Sequence, residues 1–143
     1  MSTQAPVHVL VVEDPKRNPE ITLTALHEQA SDIRVAVVNN GTAAQQFLTN
    51  CQTPPNVILL DMKLPDMEGI ELLRYIRSNV RMKSLPVLVL IDPEDQTRKS
   101  EASGLGVNGY IPHLDDPALV ADHLTVFRHL IAGQTLLSSS PPN

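Results

Sequence analysis

The sequence predicts an α/β protein in which five short parallel strands form one doubly wound sheet with helices on both faces. Three observations predict it. Apolar runs such as Val7–Val12, Val57–Leu60 and Val87–Ile91 are short, nearly continuous and rich in valine and leucine, as strands buried on both faces are. Stretches of helical periodicity alternate with these runs. The connections are short, so successive strands are expected to be parallel and joined by right-handed crossovers.

The first run, Val7–Val12, ends at Glu13 and Asp14. After Pro15, Asn18 is placed to cap a helix with Pro19 in its first turn and Ile21, Leu23, Ala25 and Leu26 on its apolar side. A second strand is predicted over Ile33–Val38, and Asn39-Asn40-Gly41 turns the chain into a short helix opened by Thr42. Pro54 and Pro55 stop that helix before the central strand, Val57–Leu60, which runs into Asp61. Gly69 is expected to release the backbone ahead of a helix marked by Ile70, Leu72, Leu73 and Ile76. Pro86 introduces the run to Ile91, which stops at Asp92, and Glu94–Ser103 reads as a weakly patterned helix. A last strand, Asn108–Ile111, precedes one final helix from about Asp116 to Ile131. The domain is expected over residues 6–132, between a flexible segment 1–5 and a partly disordered tail 133–143.

Composition narrows the function. At 143 residues the chain suffices for one self-supporting core, and an apolar share of 42% is that of a globular domain. A net charge of −5 and a pI near 5.4 argue against nucleic acid as main partner. Arg74, Arg77, Arg81 and Lys83 read as a solvated face. Cys51 is the single cysteine, no Cys/His cluster has zinc spacing, and neither a signal peptide nor a membrane span is visible. The expectation is a cytoplasmic protein.

In a doubly wound sheet the carboxyl ends of the first, third, fourth and fifth strands converge on one crevice. Two acids after the first strand and one after the third make that crevice a candidate site for a divalent metal and a phosphoryl group.

With VLVVED at 9–14, VILLDMKLPDMEGIELLRYIR at 57–77, PVLVL at 86–90 and GVNGYI at 106–111, the chain resembles the receiver domains of bacterial two-component response regulators over about residues 6–132. The resemblance implies a flavodoxin-like (βα)5 three-layer sandwich. It implies that Asp61 accepts a phosphoryl group from a sensor histidine kinase, and that Glu13, Asp14, Asp61 and the Lys63 backbone carbonyl bind Mg²⁺. Tyr110 matches the switch aromatic of the family. Such a protein is a signalling phosphoacceptor and not an enzyme, beyond its own phosphorylation and dephosphorylation.

The chain departs from the family at the switch. Where the family has Thr or Ser after the fourth strand and then a small residue, this chain has Ile91 and Asp92; where the family has Lys, it has His113. Aligning Pro112 with the family's proline puts Ile111 at the lysine position instead, so neither register restores the cation. A hydrogen bond to a charged group contributes about 1.5–3 kcal/mol. Losing two approaches the roughly 5.5 kcal/mol that drives a two-state domain from one state to the other. Asp92 is expected to repel an incoming phosphoryl group, and a protonated His113 to compensate in part.

The last helix carries two adjacent apolar stripes, Val120, Leu124, Phe127 and Ile131 beside Leu119, His123, Val126 and Leu130. One stripe packs a helix on a sheet, so the second, with Leu136-Leu137 beyond it, predicts a two-fold dimer interface through Leu119, Val120, His123, Phe127 and Leu130. A chain that stops soon afterwards is expected to act without an output domain, like the stand-alone receivers that partner bacterial phytochrome kinases. The alternative is a pseudo-receiver that binds partners without phosphate. A dehalogenase-type phosphohydrolase fits poorly because residue 63 is Lys, and a flavin protein because Glu13-Asp14-Pro15 is no phosphate loop.

Overall fold

The computed structural model describes residues 6–30 and 32–139. Segment 1–5 and residues 140–143, expected to be flexible, lie outside the described residues, as do the side chains of Leu136 and Leu137. The strands are β1 (Val7–Val12), β2 (Ile33–Val38), β3 (Val57–Asp61), β4 (Val87–Ile91) and β5 (Gly109–Pro112). They pair in parallel in the order β2-β1-β3-β4-β5. The chain reverses its direction of travel across the sheet between β1 and β3, which opens a crevice beyond their carboxyl ends.

Strand periodicity sorts the core into two layers. Leu10, Val12, Ile58, Leu60, Val87 and Val89 face α2 (Gly41–Asn50), α3 (Gly69–Ser78) and α4 (Gln96–Ser103). Val9, Val11, Val57, Leu59, Leu88 and Leu90 face α1 (Pro19–His27), α5 (Pro117–Ala121) and α6 (Thr125–Ser139). Both faces are apolar because both are covered.

Several helix boundaries differ from expectation. Asn18 makes no side-chain cap; it sits at φ 58° and closes a 3-10 turn, Pro15–Arg17, that Asp14 caps by accepting from the Lys16 N–H at 3.0 Å. Asn40, not Thr42, caps α2, accepting from Ala43 N at 2.7 Å. The α4 helix starts at Gln96 because the Asp95 carboxylate caps it, accepting from Arg98 N at 3.1 Å.

The predicted final helix is two helices, broken over Asp122–Leu124. There the N–H groups of His123 and Leu124 bond three residues back, to Val120 and Ala121, tightening the chain. Leu124 is thereby fully buried, and the backbone of α6 is helical through Ser139, beyond the expected end at Ile131.

Two surface cations also clamp the chain to itself. Arg77 donates to the carbonyls of Leu105 at 2.8 Å, Leu85 at 2.9 Å, Gly106 at 3.1 Å and Lys83 at 3.2 Å. Arg81 donates to the carbonyls of Leu48, Cys51 and Gln52. Gly69 also differs from expectation, since positive φ among the described residues is confined to Asn18 and Gly106. Its role is close approach: a Cβ there would lie 2.4 Å from the Asp61 carbonyl oxygen and 2.6 Å from Met62 Cα.

Candidate functional site

Strand β3 delivers Asp61 to the crevice with 1% of its surface exposed. Its carboxylate is held by main chain: Asp14 N donates to Oδ2 at 3.3 Å and Lys63 N to Oδ1 at 3.0 Å. His113, the residue after β5, brings Nε2 within 3.3 Å of the same Oδ1. Of the two registers the sequence left open, the observed one pairs Pro112 with Ile91 and points His113 at Asp61, while Ile111 is buried in the core.

Glu13, at the end of β1, is also 1% exposed, and its Oε1 has no hydrogen-bond partner. Burial pushes the Glu13 carboxyl above its usual range; a hydrogen bond from Thr22 opposes this, Asp61 adds to it, and His113 and Arg17 offset it. Asp14 lies beside them, its Oδ1 engaged with Lys16 N. Among the described residues no three His, Cys, Asp or Glu side chains stand assembled around one point as a metal cluster.

Asp92 is not the free repelling charge it was expected to be. Arg17 forks onto it, with Nη1 to Oδ1 at 3.3 Å and Nη2 to Oδ2 at 3.4 Å, and Lys63 Nζ lies 3.9 Å from Oδ2. Two cations therefore neutralise it. The space over Asp61, bounded by Arg17, Lys63, Asp92 and His113, is only about 10 Å³, whereas an adjoining cavity of about 490 Å³ is lined by Glu13, Lys16, Arg17, Thr22, His113 and Asp115.

The other predicted positions divide. Ile91 is buried in the core and offers no hydroxyl. Tyr110 is half-buried; its hydroxyl donates to the Lys99 carbonyl at 3.3 Å, and Lys99 Nζ lies 5.1 Å from its ring centre. Val120 and Phe127 are 3% and 0% exposed, filling the core under α5 and α6, so they are not available to a dimer. Leu119 and His123 are exposed and Leu130 is half-buried; Val126 is exposed beside them.

Sequence reasoning missed two arginines. Arg17 closes over the site, and Arg98 bridges Glu68 at 2.6 Å and Asp95 at 2.7 Å. The signal available for Arg17 was a cation three residues past the acid pair, with an uncompensated acid after the fourth strand.

A buried carboxylate fixed by backbone amides at the switch point of a five-stranded flavodoxin-like sheet, with a second buried acid beside it, defines an α/β domain with an acid-centred site at its strand tips. The chain belongs to the response regulator receiver domain family, which residues 9–123 match. Domains of this family act in two-component signalling, are phosphorylated on an aspartate and bind divalent metal; they are not in general enzymes. Response regulator Rcp1 of Synechocystis sp. is 32% identical over 111 residues, 74% of this chain and 76% of that protein. The Mn²⁺-bound form of Rcp1 matches the fold with a TM-score of 0.74 at 27% identity, covering 85% of this chain and 94% of that one. The phosphorylated cyanobacterial phytochrome response regulator RcpA matches with a TM-score of 0.76 at 26% identity, covering 97% and 100%. Among the described residues no helix is long and apolar enough to cross a membrane.

Proposed function

We propose that this protein is a response regulator that accepts a phosphoryl group on Asp61 from a sensor histidine kinase. The observation that carries the reading is the Asp61 carboxylate itself, buried at the tip of the central strand and oriented by the N–H groups of Asp14 and Lys63. Those donors hold the carboxylate plane before any donor molecule arrives, which is the positioning that phosphoryl transfer needs. One Asp61 oxygen attacks phosphorus; the new P–O bond forms as the donor's bond to phosphorus breaks and the donor departs with the electron pair. His113 flanks the attacking group where the family has lysine.

The donor set fits a hard divalent ion. The partnerless buried oxygen of Glu13, with Asp14 and Asp61, is an all-oxygen group of the kind magnesium takes, and the Lys63 carbonyl would join them. When bound, such an ion supplies charge neutralisation between carboxylate and phosphoryl group. The description of RcpA as a phytochrome response regulator supports a phytochrome-type kinase as the phosphate source. The exposed Leu119 and Val126 support a homodimer through this face, and loss of self-association in Leu119→Asp, read by sedimentation, tests it.

A second reading, a phosphate-independent interaction module with a degraded switch, is favoured by the near closure of the space over Asp61 and by His113 already seated on it. One experiment separates the two: incubation with acetyl phosphate, with and without Mg²⁺, and intact-mass detection on wild type and Asp61→Asn. A single metal-dependent phosphoryl adduct absent from Asp61→Asn is expected. A folded wild type that takes no phosphate from acetyl phosphate or from a phosphorylated phytochrome-type kinase would sink the first reading.

A further inference from the structure

Resting on that reading of Asp61, we propose that Arg17 is the phosphoryl-binding cation of this domain, and that Asp92 is the internal carboxylate that occupies it until a phosphoryl group arrives. The residues at the usual hydroxyl and lysine positions are Ile91, which has no polar side-chain atom, and His113, which carries no permanent charge, so a permanently cationic side chain for the phosphoryl group has to be found elsewhere in the crevice.

Three fixed cations border the small space over Asp61: Arg17, Lys63 and Arg98. Arg98 is committed to two carboxylates through contacts of 2.6 to 2.8 Å. Lys63 is a half-exposed point charge 3.9 Å from Asp92. Arg17 alone presents a planar fork to a single carboxylate, and at 3.3 and 3.4 Å that fork is longer than the roughly 2.7–2.9 Å of a tight charge-assisted pair. Of the two arginines it is the more easily released. Guanidinium also matches the oxygens of a phosphoryl group two at a time.

The backbone supports the exchange. Arg17 N donates to the Asp14 carbonyl at 2.8 Å, and Asp14 N donates to Asp61 Oδ2, so two hydrogen bonds tie the root of Arg17 to the phosphoacceptor. Asn18 follows at φ 58°, ending the turn there. The side chains bordering the space are Arg17, Lys63 and Arg98 beside Asp61, Asp92 and Asp95, and Arg98 serves Glu68 as well, so a phosphoryl dianion finds no spare side-chain cation there. Moving the fork from Asp92 to the phosphoryl oxygens supplies a cation to the dianion and leaves Asp92 facing Lys63.

The test follows adduct formation from acetyl phosphate by intact mass, in Mg²⁺, for wild type, Arg17→Gln, Arg17→Lys and Asp92→Asn, together with the Arg17 side-chain ¹⁵N resonance, assigned by its loss in Arg17→Gln. A half-exposed ion pair with contacts as long as these contributes modestly to stability, so all variants are expected to fold. Arg17→Gln should form the adduct at least about tenfold more slowly, the scale of a hydrogen bond to a charged group, and Arg17→Lys should recover part of the rate. The Arg17 resonance should move when wild type is phosphorylated; in Asp92→Asn it should start elsewhere and reach the same phosphorylated position. An adduct that forms at the wild-type rate in Arg17→Gln, or that leaves the Arg17 resonance unmoved, overturns the assignment of Arg17 while sparing Asp61. No adduct in any variant overturns both.

Discussion

Gly69→Ala sets two known effects against each other. Replacing a glycine at the first residue of a helix ordinarily stabilises by about 0.4–1 kcal/mol, because the unfolded chain loses freedom. Here the added methyl would stand 2.4 Å from the Asp61 carbonyl oxygen and 2.6 Å from Met62 Cα, so strand and helix must part by about 1 Å to reach ordinary contact at 3.4 Å. Neither atom belongs to a flexible side chain. The Gly69 N–H also donates to the Met62 carbonyl at 2.9 Å, and the same displacement stretches that bond. Overpacking of this kind costs about 1–3 kcal/mol, so the net loss is about 1–2 kcal/mol. In urea the unfolding midpoint should fall by roughly 0.5–1 M with an unchanged slope. Because the strain falls on the residue that carries the site carboxylate, adduct formation from acetyl phosphate should slow as well. A Gly69→Ala protein as stable as wild type would refute the close-approach argument and return this glycine to ordinary helix propensity.

Two further substitutions test how loops are held. Asp66 accepts from Gly41 N at 2.8 Å, Thr42 N at 2.9 Å and Thr42 Oγ1 at 2.7 Å, joining the β3–α3 loop to the start of α2. Burial works to raise its carboxyl, but the hydrogen bonds from Thr42 and Gly41 hold it below the usual range near 3.8. Its contribution is therefore present above the unfolded value and lost as pH falls through the lower folded one. Asp66→Ala should cost about 1 kcal/mol at pH 7, a drop of roughly 3 °C in the thermal midpoint that shrinks as pH falls below the unfolded value; a deficit that stays constant as acid is added would contradict this. Arg77→Ala should cost about 2–3 kcal/mol by orphaning the carbonyls of Leu85 and Leu105, with Arg77→Lys recovering little because an ammonium cannot span them, and full rescue by lysine would show the clamp to be mere charge.

The strands were legible because apolar runs bounded by Pro, Gly and acids say the same thing at several levels, and their observed ends fall within about one residue of those read from sequence. Asp61, Glu13 and Asp14 were legible because an acid directly after a buried strand can only sit at its tip. The break at Asp122–Leu124 was not, since Val120, Leu124, Phe127 and Ile131 stay in phase across it and all four remain buried. Periodicity reports which side chains face inward, not whether the backbone between them is continuous. The pairing of Arg17 with Asp92 spans 75 residues of sequence; each charge is visible beyond the end of its strand, but only the fold brings the two together. The same holds for Arg77 and Arg81, whose charge is visible in the chain while the carbonyls they hold are assembled only by the fold.

The order of the sheet also bears on how this protein behaves when crowded. Its two borders are unlike: β5 has four residues and finishes on Pro112, which has no N–H to lend to a neighbouring strand, whereas β2 has six. Edge-to-edge growth between copies is therefore blunted at β5, and β2 is the rim where it would begin. There the exposed Arg34 places a charge in the row, against the partly exposed Val37 further along. A second charge at Val37 is the change that would harden this rim against aggregation.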